Sequence, residues 1–304
     1  MLYISVQLID PSLSARCVIC EMRIVSFNVF PPAYEVVNTW AAECGHDLVL
    51  VVTTPGPTSR RNTSYQRVIS SVPPGTDILV TTRLRKVALP LIRALEPDLI
   101  VSFTFPYRIP PEVIALSRFG AVNLHPTALP AYRGPNPLRG IYEGFPLLGA
   151  TLHWTAAEYD TGNVLSQHTG PMPEVVTPES ILENWLPLIR NAFAEGTARA
   201  VAGETGTPQD DEQSSYGAKF TDEEHWLTPL ETRMSFQSKC AALNFFGPAA
   251  MISHHGRDYT IDSIDQLDDI TADPPGTITR QTSEAFVLQV LDGRVLVQCH
   301  SIQP

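Results

Sequence analysis

The sequence predicts an α/β protein: a mainly parallel sheet with helices on its faces, followed by a smaller β-rich domain. Three observations carry this. Short apolar runs rich in β-branched residues, "RIVSFNVF", "DLVLVVTT", "DLIVSFTF" and "AVNLHP", alternate with helical spacing, and continuous apolar strands of this kind belong to sheets covered on both sides. A polar stretch then intervenes, "GETGTPQDDEQSSYGAK". Beyond it, short strands separated by turn signals suggest a small barrel or sandwich.

The elements follow in order. "RIVSFNVF" is a buried first strand. "AYEVVNTWAAECGH" places Val36, Val37, Trp40, Ala41 and Cys44 on one helical face, with Gly45 where a helix would stop. "DLVLVVTT" is the second strand, "TDILVTT" a further strand or helix-flanking segment, and "KVALPLIRALEP" a helix with Pro90 near its first turn. "DLIVSFTF" is the next buried strand, "PPEVIALSRFG" a short helix closed by Gly120, and "AVNLHP" the strand after it. A strand from Gly149 to Thr155 and a second in "NVLSQHT" flank a polar turn. Thr177 as N-cap and Pro178 behind it open a long helix, which Pro187 is expected to kink or break. "PLETRMSFQSKCAAL" is a helix, and "YTIDSI", "GTIT", "AFVLQVLDG" and "RVLVQCH" are short strands. The expected layout is an extension over 1–21, an α/β domain over 22–205, a linker over 206–230 and a β-rich domain over 231–304. Residues 1–21 lack the basic start of a signal peptide, and Met22 precedes the first clear strand, so they read as a tail from an upstream start.

Composition narrows the function classes. The chain of 304 residues carries a formal net charge of −11, which disfavours a broad nucleic-acid footprint. No apolar run reaches membrane-spanning length. The cysteines are odd in number, and Cys17-x-x-Cys20 lacks a second pair at zinc spacing, so reduced thiols in a cytoplasmic protein are expected. His153, His168, His254 and His255 match no zinc motif, so no metal is expected and surface or strand-face roles are assigned to them.

"AVNLHPTALPAYRGPNP" carries the chemistry. Asn123 and His125 are two apart on a strand, so both side chains share a face at its carboxyl end, where open α/β sheets hold ligands. A neutral His is a general base, and an Asn amide donates to a developing oxyanion. Asp160, in the turn "DTG", is placed to fix that His. The set suits attack on a carbonyl. No nucleophile elbow occurs, so the nucleophile is expected to come from the substrate. Each residue also has an ordinary structural role open to it: N-x-H can simply end a strand, and D-T-G is a common turn.

"NLHPTALPAYRGPNP" followed by the Asp of "EYDTG" resembles the signature of folate-dependent formyltransferases, N-x-H-P-S-x-L-P-x-Y/F-x-G and then D-x-G, with Thr127 where Ser is usual. "MRIVSF", "SSYGAKFT", "ALNFFGPAA" and "PPGTI" extend the likeness to the two-domain layout of methionyl-tRNA and amino-sugar formyltransferases. The resemblance implies a Rossmann-like domain followed by an OB-like barrel. It implies that Asn123 polarises a formyl carbonyl, that His125 assists proton transfer or stabilises the tetrahedral intermediate, and that Asp160 positions His125 and a water. The implied formyl donor is N10-formyltetrahydrofolate. Its pterin would lie against the loop Phe105, Pro106, Tyr107, Arg108, Ile109 and Pro110 and against Ala156, Ala157, Glu158 and Tyr159, largely through backbone groups; core packing is the competing role for Phe105 and Ile109.

The acceptor follows from charge. Arg60, Arg61 and Arg67 make a thin basic loop, and the C-terminal region gathers Asp258, Asp262, Asp265, Asp268, Asp269 and Asp273, so tRNA fits poorly. "SFNVFPPAY" has no glycine, which disfavours glycinamide ribonucleotide. A small-molecule amine, an amino sugar or a natural-product amine, is the expected acceptor, with Glu143, Glu158 or Asp160 as partners for its charge. Alternatives are formimidoyl transfer from a formimino-folate, methionyl-tRNA formylation, and a formyltetrahydrofolate hydrolase or folate-binding module. A homodimer contact is left open.

Overall fold

A computed structural model describes residues 21–55, 64–254, 256–268 and 271–301. The expected N-terminal tail, Cys17, Cys20, Arg60, Arg61, His255 and Asp269 fall outside them. The strands hydrogen-bond into two sheets. One has seven strands in the order β3-β2-β1-β4-β5-β6-β7, and the other has five in the order β10-β11-β12-β9-β8. The α/β class with a β-rich C-terminal part therefore holds.

Among the described residues the contacts form two compact units, one over 21–55 and 64–122 and the other from 123 onward. In the first, β1 (Arg23–Asn28) pairs in parallel with β2 (Asp47–Thr53) and with β4 (Leu99–Phe103), and β2 pairs in parallel with β3 (Asp77–Val80). Helix α1 (Pro31–Glu43) begins on two prolines, whose fixed φ suits a first turn, and it buries Tyr34, Val36, Val37 and Ala41. Gly45 adopts φ 70° beyond its end, where a side chain would be strained. Helix α2 (Ser64–Ser71) lies in a stretch whose polar composition reads as loop. The helix expected through Pro90 is split into a π-helical turn, Leu84–Ala88, and α3 (Leu89–Leu95). Pro90 has no N–H to continue a ladder, so it opens a helix rather than extending one. Helix α4 (Pro111–Ile114) is a single turn. Val25, Phe27, Leu50, Val52, Ile92 and Ile100 form the core on one face of these strands.

In the second unit, β6 (Leu147–Trp154) and β7 (Val164–Pro171) are antiparallel. Helix α6 (Pro178–Val201) covers them. Its start is a full capping box, in which Thr177 and Ser180 satisfy each other's backbone N–H. It runs unbroken through Pro187, against expectation. Its stripe Ile181, Trp185, Ile189, Ala192 and Phe193 is buried, and Trp185 Nε1 donates to Gly149 O at 2.6 Å. Tertiary burial of this face outweighs the one backbone bond that proline removes. Gly149 is required: a Cβ there would lie 2.3 Å from the backbone N of Ala128.

Helix α5 (Arg139–Tyr142) packs against α7 (Arg233–Asn244). The C-terminal sheet is an antiparallel half-barrel of β8 (Met251–His254), β9 (Arg257–Leu267), β10 (Ile278–Thr279), β11 (Ala285–Val290) and β12 (Gly293–Ser301). Alternation along β11 and β12, and along β9 on either side of a register shift between Ile261 and Ser263, turns Tyr259, Ile261, Ile264, Phe286, Leu288, Val295 and Val297 into one core with Phe236 of α7.

The expectation of reduced thiols throughout needs correction. Cys44, just past α1, is disulfide-bonded, and a bonded sulfur is already oxidised. Cys240 and Cys299 are free and buried. Among the described residues no helix is long and apolar enough to cross a membrane.

Candidate active site

β5 (Ala121–His125) delivers Asn123 and His125 to one face, as the spacing requires. Asp160 reaches them from the turn after β6. Its backbone is left-handed, φ 55°, a conformation that Asp tolerates better than most residues. Asn123 Nδ2 donates to Asp160 Oδ1 at 3.0 Å. His125 Nδ1 stands 3.5 Å from Asp160 Oδ2. The backbone N–H of Gly134 donates to the same Oδ2 at 2.8 Å. Asp160 is 8% exposed and His125 5%.

Burial opposes the charge on Asp160. The positive field of His125, the hydrogen bond and charge of His153 and the Gly134 N–H together win, and hold the carboxyl well below the usual carboxylate range. The site therefore contains a buried, ionised carboxylate surrounded by donors.

His153 faces this site from β6, so its role is the strand-face one and not the surface one. It is 1% exposed on β6. Its Nε2 lies 3.1 Å from Asn123 Nδ2 and 3.4 Å from Asp160 Oδ1. Its Nδ1 lies 2.8 Å from Trp154 O, an atom that only accepts, so Nδ1 carries the proton. Nε2 then accepts from the Asn123 amide when the ring is neutral and donates toward Asp160 Oδ1 when the ring carries a second proton. A lone His on an apolar strand gives no warning of this; its neighbourhood to "EYDTG" was the available signal.

The same proton count applies to His125. Nε2 lies 2.8 Å from Tyr132 O, so it donates there. A free Nε2 base is not what this conformation offers. A proton on Nδ1 would turn the approach to Asp160 into an ion pair.

The loop after β5 is held from several sides. Thr127 Oγ1 donates to Ala131 O at 2.8 Å, a bond that Ser would also make. Thr151 Oγ1 donates to Thr127 O at 2.8 Å and accepts from Leu129 N at 3.2 Å. Gln167 Nε2 donates to Leu129 O at 2.7 Å. Tyr132 and Gly134 both have positive φ, 56° and 102°. Gln209 Nε2 donates to Asp160 O and Gly162 O, both at 2.8 Å, and Gln209 Oε1 accepts from Arg133 Nε at 3.0 Å.

The other expected site residues fall in two places. In the first unit, Ile109 is a core residue, Phe105 packs beside that core and edge-on to Phe27 at 5.1 Å, and Tyr107 is exposed. Pro110 caps α4. In the second unit, Ala157, Glu158 and Tyr159 are exposed and Ala156 half-buried, directly before Asp160. Glu143 accepts from the Tyr132 hydroxyl at 3.1 Å. His168 pairs with Glu195 at 2.9 Å. Among the described residues no cluster of His, Cys, Asp and Glu is built to hold a metal ion.

Comparison with known proteins gives the family of the chain. The chain is 26% identical over 268 residues to a methionyl-tRNA formyltransferase of Enterococcus faecalis, covering 86% of this chain and 85% of that one. It is 32% identical over 154 residues to the methionyl-tRNA formyltransferase of Halorhodospira halophila, half of each chain. Two solved structures share the fold. HypX from Aquifex aeolicus in complex with tetrahydrofolic acid has a TM-score of 0.66 at 20% identity; the match covers 91% of this chain and 43% of that one, so this chain spans less than half of HypX. An N-formyltransferase from Helicobacter canadensis in complex with folinic acid and dTDP-3-aminofucose has a TM-score of 0.65 at 15% identity, covering 92% of this chain and 100% of that one. The model of the formyl transferase domain matches residues 36–193, a span that includes Asn123, His125, His153 and Asp160, and the chain belongs to the formyl transferase family.

Proposed function

We propose that this protein transfers a formyl group from N10-formyltetrahydrofolate to the primary amine of a small molecule, an amino sugar or natural-product amine. The observation that carries this is the ionised, buried Asp160, held among Asn123, His125, His153 and the Gly134 N–H. The donor set fits a carbonyl that becomes an oxyanion: an amide N–H on Asn123 and an imidazole that gains a second proton beside a carboxylate. The folate supplies the formyl group, and the chain supplies charge and proton control.

When the amine nitrogen bonds to the formyl carbon, negative charge collects on the formyl oxygen. Asn123 Nδ2 and His125 Nε2 become its donors when the substrate takes the place of their present partners, His153 Nε2 and Tyr132 O. The attacking nitrogen must lose a proton and N10 must gain one as the old C–N bond breaks. His125 assists this exchange, and the ionised Asp160 positions His125 and the water that relays the proton. The loops 105–110 and 156–159 are proposed to hold the pterin. The buried side chain of Ile109 and the packed ring of Phe105 support backbone contacts in the first loop rather than side-chain ones.

The net charge of −11 supports a small cationic acceptor over a polyanion. The second reading, formylation of charged initiator tRNA, is favoured by the curated relatives. A mass-spectrometric assay separates them. The protein is incubated with N10-formyltetrahydrofolate, pooled amino sugars and natural-product amines, and charged initiator tRNA. Gain of one CO unit on a small amine is expected; product on tRNA alone overturns the acceptor class. His125→Ala is expected to lose about 10²–10⁴-fold in turnover, the usual worth of an acid–base group, with folate affinity kept. An unchanged rate in that variant would remove His125 from the mechanism.

A further inference from the structure

We infer that Tyr216 is the docking platform for the ring of the acceptor amine, so that the polar segment after α6 takes part in substrate choice. This rests on the transfer reading above.

The segment that reads as a linker is a ribbon laid along the active-site loop. Ser215 N donates to Pro130 O at 3.2 Å, Arg133 N to Ser215 O at 2.9 Å, Gly217 N to Arg133 O at 2.7 Å and Asn136 N to Gly217 O at 3.1 Å. Tyr132 N also donates to Ser215 Oγ at 2.9 Å. This pairing sets Tyr216 opposite Arg133, and its ring falls on Gly134. A Cβ on Gly134 would lie 2.4 Å from the ring, so ring and backbone are in direct contact. The N–H of that same Gly134 holds Asp160 at 2.8 Å. Gly134 thus touches the ring on one side and holds the Asp160 carboxylate through its N–H.

Yet Tyr216 is 61% exposed. A ring whose only task was to seal Gly134 would gain by turning both faces inward, because burying aromatic area is favourable. Tyr159, the residue before Asp160, is a second exposed aromatic at the same carboxylate, 41% exposed. Tyrosine offers a rigid flat face at small entropic cost and a polar tip. Such a face stacks on the C–H side of a sugar or on a nucleobase, and is tolerant of which ring it meets. Asp211 on the same segment is paired with Arg133 at 2.8 Å, while Asp210 and Glu212 add negative charge that favours an ammonium group.

The test uses the full chain and the variants Tyr216→Leu, which keeps a side chain over Gly134 without an aromatic face, and Tyr216→Phe, which keeps the face. dTDP-3-aminofucose is the ring-bearing probe and putrescine the acyclic one. Affinity for dTDP-3-aminofucose is measured by calorimetry without folate, and transfer kinetics are measured for both amines. For Tyr216→Leu the expected result is an affinity loss and KM rise of about tenfold for dTDP-3-aminofucose, the effect of one lost stacking contact. Its kcat, its kinetics with putrescine and its affinity for N10-formyltetrahydrofolate are expected to hold, and Tyr216→Phe to behave as wild type. Unchanged affinity in Tyr216→Leu overturns the platform, as does a fall in kcat alone, a loss of folate affinity instead, or no binding of the probe by the wild type. Probe binding that depends on Tyr216 without any formyl transfer would sink the transfer reading and leave the platform standing. Transfer that ignores Tyr216 would do the reverse.

Discussion

At the scale of single residues, the site is a contest between burial and charge at Asp160. Burial pushes its carboxyl up; His125, His153 and the Gly134 N–H push it down and prevail. The sign of the consequence follows. A depressed folded-state value means that Asp160 stabilises the fold fully above the unfolded carboxylate value of about 3.9, and that this is lost as pH falls toward the folded value. Activity that needs the carboxylate should therefore persist to lower pH than an ordinary aspartate would allow. Asp160→Asn keeps the shape, removes the charge, and is expected to cost about 10²–10⁴-fold in kcat while the protein stays folded. Rates within a few-fold of wild type would leave Asp160 as a turn residue. His153→Ala tests positioning. Removing its hydrogen bond and charge raises the Asp160 value, so the acid limb of the kcat–pH profile should move to higher pH, with substrate KM little changed. A profile that scales down without moving would mean that His153 only packs. That Asn123, His125 and Asp160 come together was legible because a strand, a two-residue spacing and a D-x-G turn are local patterns. His153 was not, because its role depends on the left-handed backbone at Asp160 that swings the carboxylate back onto β6.

At the scale of elements, the loop from Pro126 to Gly134 looks stiffened by its prolines, and they are only part of the cause. The neighbouring strands pin it: Thr151 on β6 serves both Thr127 O and Leu129 N, and Gln167 on β7 serves Leu129 O. Thr151 is wholly buried. Thr151→Val keeps its volume and leaves a buried carbonyl without its donor, at a cost of about 1–3 kcal/mol. A lowered melting temperature with a reduced kcat is expected, since Tyr132 O, the partner of His125, sits at the end of the same loop. Wild-type stability in this variant would show that the prolines suffice. Such pins are invisible in sequence because Thr and Gln on alternating strands are ordinary. Strands β1, β2, β4 and β5 were legible from continuous apolar runs. The one-turn α5 was not, since it has no room for a periodic pattern. The ribbon at 215–217 was not either, because polar composition marks the absence of a core, not the absence of hydrogen bonds.

At the scale of the whole molecule, the sequence shows acidic residues gathered toward its C-terminal end but not how the active-site loop is tied to the C-terminal half-barrel. The tie is electrostatic and runs through Arg139 on α5. Its guanidinium meets both Glu224 oxygens, at 2.6 and 3.0 Å, and donates to Ala218 O and Lys219 O. Phe220 and Tyr142 lie under its charge, with ring centroids 4.9 and 5.4 Å away. Tyr142 and Phe220 also pack on the half-barrel core. The hydrogen bonds from Arg139 outweigh partial burial and bring the Glu224 carboxyl down to about 2. A lowered folded-state value again means stability that is present above the unfolded carboxylate value, about 4.3, and that disappears as pH falls through about 2. Glu224→Gln leaves Arg139, 7% exposed, with only the longer contact to Glu143 at 3.7 Å, and weakening one side of a buried pair is more damaging than never burying it. The variant should melt below wild type at pH 7. The gap should narrow on acidification from about pH 4 toward about pH 2, because the wild type then loses the charge that the variant already lacks. A gap that stays constant over that window would mean that shape and hydrogen bonding, rather than the charge on Glu224, tie the half-barrel to the loop.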